Sequence, residues 1–297
     1  MKLRNTIFDS KSEIEAFHCL QTRWSPKLNL YPSLPFSKIV DVKPEELTTK
    51  EKEYFYKTNV DYTFCYPNGQ PILSIEFDGI GGGFSRNGVY IQQRETVDPY
   101  RKLKLDFKLK VAKTVVYPLI VISYEETTPI HEKDSLLIVD GIIGQYLSKE
   151  KFMLHVNEIQ KDPDIAVKNN WEIKDILLDA EIDSELKSDP IAKKAWLYQG
   201  QCLLMDVGSF SITPMHESSL SNVKDFFDFK GVRTRAEALK NTTRVGCRIE
   251  IQSLSIVETV WIRNFEGFGI FPYSIAENIA RYLAFRRAYS ILKNKKS

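Results

Sequence analysis

Asp61, Glu76 and Asp78 are the side chains of this 297-residue chain whose types and spacing most directly suggest chemistry. They sit in the stretch VDYTFCYPNGQPILSIEFDG, where apolar and polar residues alternate. Alternation puts successive side chains on opposite faces of a strand, so Glu76 and Asp78 share a face, about 6.6 Å apart along the chain. Carboxylates set beside the apolar positions of a sheet are costly to keep charged unless a cation neutralises them. Mg²⁺, held by one or two carboxylates plus substrate phosphate, would do so. Downstream, Arg101, Lys104 and Lys108 recur at i, i+3 and i+7 within RKLKLDFKLKVAK, one face of a helix. That face could meet a phosphate, and an ordinary solvated cationic face has the same spacing.

The elements that must position these groups run from Asn59 to Glu126. Val60, Tyr62 and Phe64 alternate with Asp61, Thr63 and Cys65, which predicts a half-buried strand. Pro67-Asn68-Gly69 supplies a turn, because Asn and Gly tolerate the positive φ of tight hairpins. The return strand, Ile72 to Phe77, carries Leu73, Ile75 and Phe77 on one face. The glycine-rich run from Gly79 to Gly88 has neither the P-loop lysine nor the dinucleotide fingerprint. It reads as a surface loop, or as backbone that approaches a substrate closely, with Arg86 and Arg94 as candidates for phosphate contact. Asp98-Pro99 predicts a helix start, with Leu103, Phe107 and Val111 packing inward. Tyr117 to Tyr124 is a continuous apolar run, the pattern of a central strand buried on both faces. Strand, strand, helix, strand predicts an α/β core, a mixed sheet flanked by helices.

Upstream, Ser12-x-x-Glu15 has the form of a capping box, and Glu13 shares a helix face with Phe17 and Leu20. An acid there belongs either to the rim of the core or near a metal. Trp24 to Phe36 holds three prolines and predicts an extended connection with edge-strand character. Thr48 or Thr49 can cap the helix that follows.

Asp61, a hairpin, then Ile75-Glu76-Phe77-Asp78-Gly79 and a basic helix resemble the PD-(D/E)XK nuclease superfamily, over roughly residues 8–126. The likeness is to the variant whose motif lysine has moved to the following helix. It implies a restriction-endonuclease-like fold in which Asp61 and Glu76 hold Mg²⁺ or Mn²⁺. Glu13 would be the first-helix acid that supports the metal, and Asp78 a further ligand or a group that orients water. Asp78 stands where the family usually has Lys, so Lys104 or Lys108 would assist the attacking water. Arg86, Arg94 and Arg101 would bind nucleic acid. The implied function is a metal-dependent phosphodiesterase acting on nucleic acid, DNA above all. The missing motif lysine equally suits a non-catalytic nucleic-acid-binding or assembly module on the same fold. A structural or partner-binding protein unrelated to nucleic acid is the third reading.

Composition sets the frame. Apolar residues make up 43% and charged residues 27%, as in a globular protein. The net charge of +2 is no global basic field. Four scattered cysteines without a C-x-x-C pair argue against a zinc ribbon and for a reducing compartment, hence a cytoplasmic location. No run approaches the roughly 20 apolar residues of a membrane span, so no membrane partner is expected, and a homo-oligomer stays open. The four histidines lack zinc spacing, and no G-x-S-x-G elbow is present. Residues 1–126 form the predicted nuclease-like core and 127–297 an α+β extension. In the extension the pattern predicts an apolar helix from Asp134-Ser135 through Tyr146, helical pieces from Lys149 to Leu186 around Pro163 and Pro190, and a helix from Pro190 to Tyr198. QCLLMDVGSFSI reads as a strand, Val245 to Ile251 and Leu254 to Arg263 as a hairpin, and Ser274-x-x-Glu277 as the cap of a last helix.

Overall fold

The computed structural model describes residues 11–77, 81–84, 90–92, 100–122, 136–161, 164–165, 168, 170–205, 209–214, 242–251, 254–263, 265 and 270–296. Two compact units divide the chain. One is Met1–Glu126 with Lys230–Arg233 and Arg263–Phe268; the other is Thr127–Phe229, Thr234–Ile262 and Gly269–Ser297.

The N-terminal unit runs α1 (Lys11–Trp24), β1 (Asn29–Pro35), α2 (Thr49–Lys57), β2 (Asn59–Cys65), β3 (Pro71–Phe77), a ribbon of β4 (Gly81–Phe84) and β5 (Tyr90–Gln92), α3 (Arg101–Thr114) and β6 (Leu119–Ile122). Its four-stranded sheet has the order β1-β2-β3-β6. β1 and β2 are antiparallel, as are β2 and β3, while β3 and β6 are parallel. A parallel pair needs a crossover, and α3 lies in that connection. β1 is the edge strand that the prolines predict, with Pro32 opposite Tyr62. Thr48 caps α2 through a complete capping box with Glu51.

The β2–β3 hairpin turns at Gly69, whose φ of +87° is the left-handed conformation glycine adopts without strain. β2 differs from its predicted half-burial: Thr63 is 0% exposed and Cys65 3%, so both faces are covered. The core contains Phe36, Phe55, Val60, Phe107, Val111 and Leu119, and the Phe36 ring meets Phe55 and Phe107 edge to face. On α3, Leu105 packs inward and Leu103, expected in the core, is exposed. Tyr100 precedes α3 without a side-chain capping bond, and Asp98 and Pro99 lie outside the described residues.

The glycine run gives a second correction. Gly81–Phe84 is a strand paired with β5, its register shifting between Gly81 and Phe84. Glycine weakens strands and marks irregular pairing, so the pattern hides what the partner strand imposes. α1 already includes Ser12, which therefore lies inside the first turn and not at the cap.

The C-terminal unit contains α4 (Leu137–Ile159), α5 (Asn170–Ser188), α6 (Pro190–Leu203), β7 (Ser209–Pro214), β8 (Thr242–Ile251), β9 (Leu254–Arg263) and α7 (Pro272–Lys296). The strands form one sheet in the order β7-β8-β9. Val245, Cys247, Ile249 and Ile251, the predicted alternating face, are all buried. α4 extends well past Tyr146, and α6 takes in Gln201–Leu203, which the pattern assigns to a strand. α7 opens at Pro272, with Ser274 inside it, because proline at the first helical position needs no N–H partner. Among the described residues no helix is long and apolar enough to cross a membrane.

Candidate functional site

Three of the site candidates, Asp61, Glu76 and Lys108, come together where β2, β3 and α3 meet. The described pairing of β2 with β3 begins at Tyr62 opposite Ile75. One step further, the same register sets Asp61 opposite Glu76. There Asp61 Oδ2 accepts the Phe77 backbone N–H at 2.7 Å, so the side chain ties the two strands together. Alternation puts Asp61, Thr63, Ser74 and Glu76 on one face of the sheet.

α3 lies over that face, and its Lys108 accompanies Glu76 there. Lys108 is 4% exposed. Its ammonium pairs with Glu76 Oε1 and donates to the Asn59 carbonyl at 3.2 Å. The lysine thus bridges the start of β2 and the middle acid of the hairpin. For Lys108 this overturns the solvated-face reading: Leu105, Phe107, Val111 and Ala112 are buried on the same helix. It also changes the electrostatic argument. Half-buried carboxylates need a cation, and the chain supplies one of its own to Glu76.

Lys104 is half-buried one turn earlier, close enough to Glu53 of α2 to help lower that carboxyl, after the larger effect of Lys57. Arg101 opens α3. Asp78, Arg86 and Arg94 lie outside the described residues.

On the opposite face Tyr62 reaches α1, where its hydroxyl donates to the Glu13 carbonyl at 3.1 Å. Burial raises the Tyr62 hydroxyl pKa, and the charges of Glu13 and Asp61 raise it further. The Glu13 side chain is exposed, which is the rim position. Among the described residues no three His, Cys, Asp or Glu side chains gather as a metal-holding group. The acids that the described strands set side by side are the pair Asp61 and Glu76. Two hard oxygen donors of this kind match what Mg²⁺ commonly takes from a protein, the rest coming from water and phosphate.

A buried chain of hydroxyls follows Asp61 and Glu76 along the hairpin. Thr63 Oγ1 and Ser74 Oγ are 2.9 Å apart, and Ser74 Oγ lies 2.8 Å from the Tyr117 hydroxyl. It links β2, β3 and the residue that leads into β6. Tyr117 is delivered by the end of α3, where its N–H bonds Ala112 O at 2.8 Å and the Val116 N–H bonds Lys113 O at 3.2 Å. These are the two bonds of a Schellman motif. The alternation of Thr63 and Ser74 is visible in the sequence; that Tyr117 completes the chain is not.

No protein-family model, curated protein or solved structure matches this chain.

Proposed function

We propose that the N-terminal unit is a Mg²⁺- or Mn²⁺-dependent phosphodiesterase that hydrolyses nucleic acid, with DNA as the expected substrate. In this reading the unit is a restriction-endonuclease-like core whose motif lysine sits on the helix after the second acidic strand. The observation that carries the proposal is Lys108, a buried lysine of α3 brought to Glu76 beside Asp61. A buried lysine is uncommon, and burying it at a carboxylate pair is the arrangement the migrated-lysine pattern requires.

Asp61 and Glu76 would hold the ion. When bound, the ion supplies Lewis-acid polarisation of the scissile phosphate. Asp61 is oriented by the Phe77 N–H, so its position is set before any ligand arrives. Lys108 would place a positive charge where negative charge develops on the phosphate, in a site from which α3 excludes most water. Lys104, whose charge reaches Glu53 of α2, would serve the backbone of the nucleic acid.

The non-catalytic module is the second reading, and one observation favours it. Asp61 and Glu76 are both engaged within the protein, one by an amide and the other by an ammonium. Cleavage assays on labelled single- and double-stranded DNA and RNA, with Mg²⁺ or Mn²⁺, separate the two. Catalysis predicts metal-dependent cleavage that falls at least tenfold in Lys108→Met and Glu76→Gln, and less in Lys104→Ala. Nucleic-acid binding without cleavage in any of these conditions would leave the module reading standing.

A further inference from the structure

The C-terminal unit buries a carboxyl group that no cation accompanies among the described residues. Asp189 is 1% exposed at the corner between α5 and α6. It caps α6: Oδ1 accepts the N–H groups of Ile191 at 2.7 Å and Ala192 at 3.2 Å, and Pro190 occupies the first helical position. Its other oxygen, Oδ2, is buried with no hydrogen-bond partner among the described residues.

The neighbours on the adjoining helices are acids. Asp140 of α4 is 2% exposed, and Glu185 of α5 lies one turn before Asp189, which donates its own N–H to the Glu185 carbonyl at 2.8 Å. α7 contributes a neutral group, Asn278, whose amide binds Glu185 Oε1 at 2.9 Å. Lys193, the nearest base along α6, is exposed. α4 closes over the corner at Gly144, where an added Cβ would stand 2.8 Å from both the Cα and the Cγ of Asp189. The glycine is needed for that approach, and the approach seals the carboxyl from water.

We propose that Asp189 is a proton-carrying joint of this helical unit: it is held neutral where α4, α5 and α6 meet, and losing the proton loosens that junction. A charge here would be buried, half hydrogen-bonded and flanked by two acids, which opposes ionisation more than the two amide bonds favour it. Burial pushes the Asp189 carboxyl from an ordinary 3.8 up to about 7, the Ala192 and Ile191 bonds acting against it and Glu185 and Asp140 adding to it. The sign follows from proton counting. Between about pH 4 and pH 7 the folded state binds a proton that the unfolded chain has released, so stability falls as pH rises through that window and levels off above it.

The test is amide exchange on the full chain from pH 5 to pH 8, read on peptides covering α4 and α6 and corrected for the intrinsic pH dependence of exchange. Wild-type protection should fall roughly a hundredfold across that range. Asp189→Asn keeps the cap, since Asn serves that position as well as Asp, and should hold protection constant. Asp140→Asn, which removes one acid neighbour, should make the loss smaller and complete at lower pH. Protection that is flat in the wild type overturns the proposal. So does an Asp189→Asn slope equal to the wild type's. Should that variant fail to fold, an Asp140→Asn profile identical to the wild type's has the same force.

Discussion

A lysine taken out of water needs partners, and Lys108 has two, the Glu76 carboxylate and the Asn59 carbonyl. Such a pair gains little net stability when formed, since both ions lose their hydration, but removing one partner strands the other. Lys108→Met should therefore lower stability by about 3 kcal/mol, at the low end for broken buried pairs because Glu76 keeps some exposure. Adding Glu76→Leu should recover most of that loss, because the two apolar side chains replace the pair as a unit. Urea unfolding of both variants checks this: a double variant as unstable as the single one means that Lys108 acts through something other than Glu76. The sequence shows Arg101, Lys104 and Lys108 as equals on one helix face. It does not show which of them points at the sheet, because the inward stripe of α3 itself contains lysine and helical spacing alone then reads as a solvated side. Asp61 and Glu76 stood out in the sequence as acids beside apolar strand positions; that they stand opposite one another is set by the β2–β3 register, whose irregularity between Phe64 and Cys65 the sequence does not show.

Elements were legible where a local rule decides them and opaque where a partner does. Thr48, one of two threonines expected to cap α2, and the alternation along β8 are local signals, and both appear in the structure. Gly81–Phe84 becomes a strand only because β5 pairs with it. The end of α3 shows a related conflict. Val116 has φ of +54° at the left-handed position of the Schellman motif, where a β-branched side chain is strained and glycine is usual. It is 74% exposed, so its side chain adds little packing in return. Val116→Gly should raise stability by about 1 kcal/mol, the relief of the left-handed strain less the greater freedom of glycine in the unfolded chain. Thermal unfolding at neutral pH measures it. A lower melting temperature would mean that the valine stiffens the α3–β6 turn more than it strains it, with Tyr117 and its hydroxyl chain depending on that stiffness.

At the scale of the molecule, the functional proposal belongs to one unit and the proton-carrying joint to the other. The boundary near residue 126 is visible as a change in composition after YPLIVISYEE. The arrangement of the second unit is not visible: the first turns of α4, Leu137–Gly144, are buried on every side, and periodicity there gives no direction. The small net charge of +2 places the weight of any nucleic-acid reading on the site and not on a global field. The most direct measurement is Mn²⁺ titration of the full chain by calorimetry, with Asp61→Asn, Glu76→Gln and Lys104→Ala beside the wild type. The expected result is binding by the wild type and by Lys104→Ala, a rise in melting temperature with Mn²⁺ in both, and loss of both signals in Asp61→Asn and Glu76→Gln. Mn²⁺ binding that survives both carboxylate substitutions, or a wild type that binds none, contradicts the assignment of Asp61 and Glu76 as the pair that holds the ion.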